Sequence, residues 1–138
     1  MKKIAIMITL LLVISLPGCN SSNQKLAQRM IEKYSDNQSY VTLSGVVMEF
    51  EGRTVLVKCE ELNTYISYED ELCYYCIYSN QSINLSVGDQ IDFVTVPFHF
   101  YNGHRLPIVE LKIDGNVLLT FEEGKENLIN YVNQLQAK

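Results

Sequence analysis

The chain has 138 residues and a mass of 15.8 kDa, which suits one domain of ordinary size rather than two. Its 11 Lys and Arg stand against 16 Asp and Glu, a net charge of −5 at neutral pH, which excludes the electropositive surface that nonspecific nucleic-acid binding requires. Four Cys, two His and no Trp leave little material for a metal or nucleophile site, and no Gly-x-Ser-x-Gly, His-Glu-x-x-His or phosphate-cradling glycine run occurs.

The N-terminus reads as an export segment. Lys2 and Lys3 form a basic start, and Ile4 to Leu16 is an uncharged, mostly apolar stretch, shorter than the roughly 20 residues a spanning helix needs. It ends in Leu16-Pro17-Gly18-Cys19. This run resembles the lipobox of bacterial lipoproteins, which implies cleavage before Cys19 and acylation of its thiol. On that resemblance residues 1–18 are a signal peptide, 19–25 are the lipidated Cys19 and a polar, flexible tether, and 26–138 are the folded domain. The alternatives are a plain secretory signal and a permanent N-terminal anchor. The expected location is the extracytoplasmic side of the cell membrane, or the outer membrane of a two-membrane cell, where Asn20 after Cys19 resembles the usual sorting pattern. Removing the segment deletes two lysines and no acid, leaving 9 basic and 16 acidic side chains, a net of −7. An anionic bilayer repels such a body, so attachment is expected from the lipid and not from a basic face.

In the remaining chain, Ala27, Met30, Ile31 and Tyr34 recur at helical spacing among polar residues, which predicts an amphipathic helix. After the polar break Ser35 to Ser39 the period turns strand-like. Tyr40 to Phe50 and Arg53 to Cys59, turned by Glu51-Gly52, predict a hairpin. Gly45 in mid-strand is expected to mark a bulge or sharp coil. An acidic stretch from Glu60 to Glu71 precedes a third strand, Leu72 to Tyr78. Gly88-Asp89 turns the chain into a fourth, Gln90 to Val96, which Pro97 stops. A loop with His99, Phe100, Tyr101 and His104 leads to Ile108 to Ile113, where Val109, Leu111 and Ile113 are expected on one face and Glu110 and Lys112 on the other. Asp114-Gly115 ends that strand. Thr120 to Glu123 reads as a capping box opening a last helix with a stripe of Leu128, Tyr131, Val132 and Leu135.

Hairpin, third strand, gap and two further strands predict a mainly β fold: a small five-stranded OB-like barrel flanked by an N-terminal and a C-terminal α-helix. Tyr40 to Gly45, then Leu85-x-Val87-Gly88-Asp89-x-Ile91, then the strand through Ile113, resemble the OB-type domains of small bacterial lipoproteins related to the tRNA-anticodon-binding-like superfamily. The resemblance covers roughly residues 40 to 115 and implies the fold rather than a reaction. The helix that many OB folds place between strands three and four has only Ser79 to Leu85 to occupy.

With Cys19 given to lipid, Cys59, Cys73 and Cys76 remain, an odd number for an oxidising compartment. Cys73-Tyr74-Tyr75-Cys76 has the CxxC spacing of thiol-disulfide enzymes. In an extended strand, however, positions i and i+3 point to opposite faces, so a structural bridge from Cys59 to Cys73 or Cys76 is the expected use. A zinc site from these thiols with His99 or His104 lacks a second ligand pair, so neither metal nor cofactor is expected. Glu60, Glu61 and Glu69 to Glu71 are read as a solvated loop. Tyr65, Tyr74, Tyr75, Tyr78, Phe100 and Tyr101 are the candidate ligand-binding residues, expected on segments bordering the binding face of the barrel; the alternative is that they fill the core and cover strand edges. The functional expectation is a membrane-anchored, non-catalytic envelope module for an unidentified protein or small ligand and not for nucleic acid. The alternative is an exported thiol-disulfide oxidoreductase using Cys73 and Cys76.

Overall fold

The computed structural model describes residues 21–66, 71–101 and 105–136; the export segment and Cys19 lie outside the described residues. The expected amphipathic helix is α1, Ser21–Ser35, which buries Ala27, Met30 and Tyr34. It begins inside the polar run read as a tether, and residues 23–25 form its exposed early turns. A short 3-10 turn, Asn37–Ser39, capped by the Asp36 carboxylate on the Gln38 N–H, redirects the chain into the sheet.

The first strand, β1 (Val41–Glu51), turns through Gly52, at φ +63°, into β2 (Thr54–Lys58). β1 serves two neighbours: Val41 to Val46 pair with β4 (Gln90–Thr95), and Val46 to Glu51 pair with β2. Gly45 sits at this handover. A Cβ there would lie 2.5 Å from Val57 Cγ1 and 2.7 Å from the Lys58 carbonyl oxygen. The position therefore serves close approach and not a bulge; the extra residue in this pair is Met48, between Val47 and Glu49.

Beyond β2, a 3-10 helix at Glu60–Thr64 buries Leu62 beneath the acidic stretch. Strand β3 (Leu72–Ile77) lies antiparallel on β2, and β5 (Leu106–Ile113) antiparallel on β4. The sheet curls until β3 and β5 meet in parallel, from Tyr75↔Leu106 to Ile77↔Ile108. The result is mainly β with two helices and an OB-like connectivity. The five-strand expectation is corrected to six among the described residues. Asp114 and Gly115, both at positive φ, form a two-residue hairpin turn, and Asn116–Leu119 returns along β5 as β6. Between β3 and β4 no helix occurs among the described residues. There the Asp89 carboxylate accepts the Ser86 N–H at 2.8 Å. Gly88 donates to the Val47 carbonyl and Val47 donates to that of Asp89, so the Gly-Asp turn is tied to the bulged part of β1.

Two apolar cores result. The barrel interior holds Leu43, Val57, Tyr75, Ile91, Phe93 and Leu111, each large apolar side chain contributing roughly 1.5–3 kcal/mol on burial. The second core lies under α1 and α2 (Phe121–Gln136). Val109 was expected to share a face with Leu111. Instead it is the extra residue of a bulge, since Thr95 pairs with Ile108 and Val94 with Glu110, and it turns into the helix-side core. There α2 rests directly on the strand: a Cβ on Gly124 would meet the Val109 carbonyl oxygen at 2.0 Å. Gly124, Leu128 and Val132 thus form the buried line of α2, and Tyr131 and Leu135, expected in the stripe, are exposed. Thr120 caps α2 by accepting the Glu123 N–H at 3.3 Å. The second half of the expected capping box is not formed, because the Glu123 carboxylate accepts the Asn80 N–H.

Candidate functional site

Strand alternation sorts β3 into two sets. Cys73, Tyr75 and Ile77 enter the barrel, while Tyr74 stands 46 % exposed on the outer face. On that face the register builds two rows across three strands, Glu49–Leu56–Tyr74 and Glu51–Thr54–Cys76. The Tyr74 hydroxyl donates to Glu49 Oε2 at 3.0 Å, spanning the first row. That hydrogen bond, with the carboxylate's charge behind it, holds the Tyr74 phenol above its ordinary pKa, and the Arg105 guanidinium opposes the shift. Arg105 arrives because β5 runs parallel to β3 and starts beside Tyr75.

Between Glu49, Glu51, Thr54, Leu56, Tyr74 and Arg105 lies an open cavity of about 390 Å³, with Phe50 at its edge. Phe50 also lines a second cavity, of about 370 Å³, bounded by Arg53 and the chain from Ser79 to Asn84. Phe50 pairs with the buried Val55 and packs toward the barrel core, opposite to Glu49 and Glu51, so the two cavities lie on different faces of the β1–β2 hairpin. The outer-face cavity, the groove, carries two carboxylates, Glu49 and Glu51, and one guanidinium, Arg105, while Arg53 lines the second cavity. A larger cavity, about 610 Å³, lies elsewhere, beside Gly45 and the 3-10 helix. It is lined by Glu60, Glu61, Asp92 and Asp114 with Lys58 as counter-charge, and nothing in it points to a ligand.

Of the six aromatic candidates only Tyr74 lines the groove. Tyr75 is 0 % exposed and packs edge-on against Phe93, with ring centroids 5.0 Å apart. Tyr78 leans on Tyr131 of α2 and Phe100 packs on Tyr34 of α1, so both belong to the helix-side core. Tyr65 ends the 3-10 helix, and Tyr65 and Tyr101 are exposed away from the groove. The expectation of one aromatic face is therefore corrected: alternation along β3 and the packing of two helices divide the set. Glu49, Glu51 and Arg105 were not singled out from the sequence as a set; the outward positions of β1 were the available signal.

Cys59, Cys73 and Cys76 are free thiols, and the expected bridge is absent among the described residues. Register explains this. Cys73 faces Val57, while the Cys59 N–H pairs with the Glu71 carbonyl, so Cys59 and Cys73 are diagonal neighbours and not a directly opposed cross-strand pair. Cys76 lies on the opposite face of β3 from Cys73. Burial pushes the Cys73 thiol up to about 12. It also raises Cys59 and Cys76, the latter against the pull of Arg105 and Arg53. A redox cysteine needs its thiolate favoured, and these surroundings do the reverse. His99 is exposed and His104 lies outside the described residues. Among the described residues no group of three or more His, Cys, Asp or Glu side chains could hold a metal ion, and no helix is long and apolar enough to cross a membrane.

Comparison with protein-family models and with curated proteins returns no match. Among solved structures the chain is similar to one titled crystal structure of Ag(I)CusF, at 14 % identity and a TM-score of 0.41, covering 54 % of this chain and 97 % of that one. The silver in that title belongs to that protein.

Proposed function

We propose that the chain is an exported, lipid-anchored binding module of the cell envelope that works without catalysis, holding its ligand or partner in the groove on the outer face of β1, β2 and β3. The observation that carries the site is Tyr74. It is half exposed on a strand, oriented by Glu49, and flanked by a cavity whose charged groups are the carboxylates of Glu49 and Glu51 and the Arg105 guanidinium. Exposed aromatic and charged side chains held on a strand suit recognition. The basic start, apolar stretch and Leu16-Pro17-Gly18-Cys19 support export and acylation at Cys19. A net charge of −7 after cleavage supports a partner other than nucleic acid.

Two measurements test this. Metabolic labelling with an alkynyl fatty acid in a bacterial host should mark the parent and not Cys19→Ser, which should leave the membrane fraction; equal labelling of both removes the anchor. Affinity capture from solubilised envelopes should lose its specific component in the Tyr74→Ala/Arg105→Ala double variant. Equal recovery by parent and variant removes the groove as the site.

A further inference from the structure

We infer that the end of the helix pair where α1 begins and α2 finishes rests on an anionic bilayer surface, with Lys25 and Arg29 at the lipid phosphates and Tyr131 and Leu135 at the headgroup level. This rests on acylation at Cys19 and goes beyond it, because it gives the anchored domain one face toward the membrane. Three observations carry it.

The first is reach. Cys19 precedes α1 by two positions, and two residues span at most about 7 Å. The run read as a flexible tether is helix from Ser21 onward, so the four steps from Ser21 to Lys25 add only about 6 Å. Lys25 therefore stands within about 13 Å of the acylated residue, and Arg29 one helical turn further on. The second is the path of α2. Lys125 Nζ, near the start of α2, donates to the Ser35 carbonyl at 3.4 Å and to Asn37 Oδ1 at 2.6 Å, so α2 starts where α1 ends. Ala27 and Met30 share a core with Leu128 and Val132, so α2 runs back along α1 and its last turns come beside the first turns of α1. There Tyr131 and Leu135, one turn apart, are 45 % and 40 % exposed. A tyrosine beside an apolar side chain suits the membrane interface, where a ring with a polar tip is at home. The third is charge. All 16 acidic residues lie between Glu32 and Glu126, among 6 Lys and Arg, a net of −10, while residues 19–31 and 127–138 hold 3 basic residues and no acid, a net of +3. Lys25 and Arg29 are exposed and one turn apart on α1. Anionic lipid thus repels the body and attracts the end nearest the anchor, and both forces turn the domain the same way. The acyl group supplies attachment; the separation of charge supplies orientation.

The chain contains no Trp, so one introduced indole reports position. The chain, expressed with its own export segment and purified from the membranes of a bacterial host, is reconstituted in vesicles of phosphatidylcholine and phosphatidylglycerol with a headgroup spin-labelled lipid as quencher. Leu135→Trp should be quenched, and Tyr65→Trp, on the barrel, should not. Lys25→Ala/Arg29→Ala should lower the ratio of docked to undocked chain roughly 25-fold, about fivefold for each basic group removed. Its Leu135→Trp quenching should fall accordingly, with circular dichroism confirming the fold. Vesicle flotation reads the anchor separately: a chain that does not float overturns the anchor and the docking with it. A chain that floats with both indoles quenched alike, or with Leu135→Trp unquenched, overturns the docking and leaves the anchor standing. A Leu135→Trp emission that is blue-shifted yet unquenched places a second copy on that face and also overturns it, as does quenching that the double variant keeps in full.

Discussion

Tyr74 and Tyr75 are neighbours in the chain and belong to different regions of the molecule. Tyr75 lies at 0 % exposure inside the barrel against Phe93, and Tyr74 stands outside with its hydroxyl on Glu49. The inner region is apolar and close-packed, so a change there is read in stability. The outer region is a row of polar and aromatic groups in solvent contact, so a change there is read in recognition. The same residue type on the same strand does two jobs because successive side chains point to opposite faces.

The largest effect expected from breaking this contrast is Tyr75→Ala. Removing a fully buried aromatic ring should destabilise the domain by about 3–5 kcal/mol, seen as a large fall in the urea midpoint. Tyr74→Ala should leave that midpoint within error of the parent. Similar losses for both would erase the distinction between the two regions. Next is Gly124→Ala at the second core. The added methyl has Val109 backbone on its path at 2.0 Å, and backbone moves less readily than a side chain, so a cost of about 3 kcal/mol, at the top of the overpacking range, is expected. The same substitution at Gly52, in the open hairpin turn at φ +63°, strains only the local backbone, by about 1 kcal/mol. If the two variants unfold alike, α2 does not rest on β5 as described.

A smaller effect follows from the thiols. Burial raises the folded-state pKa of Cys73 to about 12, from an ordinary value of 9.0, and raises that of Cys59 and Cys76. The unfolded chain loses these protons first, so stability is level below pH 9 and falls as the pH climbs through 9 toward 12. Chemical denaturation between pH 8 and 10, below the range where buried tyrosines dominate, should show this decline, and Cys73→Ala should make it shallower. A stability that rises with pH in that interval would contradict the burial of the thiols.

Much of the inner region was legible in the sequence. Strands β1 to β5 announce themselves by β-branched and aromatic runs between Gly-containing turns, and α1 by its spacing. β6 was not, because Val117 and Leu118 are both exposed, so the segment has no alternation to read, although Asp114-Gly115 is a hairpin signal. The outer region was less legible still. Cys73-Tyr74-Tyr75-Cys76 contains no charged residue to phase the alternation, so the aromatic set could not be divided into faces. Arg53 and Arg105 are 52 positions apart in the sequence, and both come near Cys76 only through the hairpin turn and the parallel pairing of β3 with β5, a contact no local pattern encodes.

The smallest prediction separates the regions most finely, because it removes the same atom from each. The Tyr75 hydroxyl is buried without a hydrogen-bond partner among the described residues, and such a group carries a desolvation penalty that folding does not recover. Tyr75→Phe should therefore stabilise the domain, by up to about 1 kcal/mol, and raise the urea midpoint. Tyr74→Phe deletes a hydroxyl that does have a partner, the Glu49 carboxylate, in an exposed setting where water replaces it on both sides. Its stability should hardly change, and its consequence should appear in ligand affinity, because the ring loses the bond that orients it. If Tyr75→Phe instead lowers the midpoint, the hydroxyl has a partner inside the barrel, for which an ordered water bridging to the neighbouring thiols is the chemically suited candidate, and the interior is less dry than its apolar lining implies.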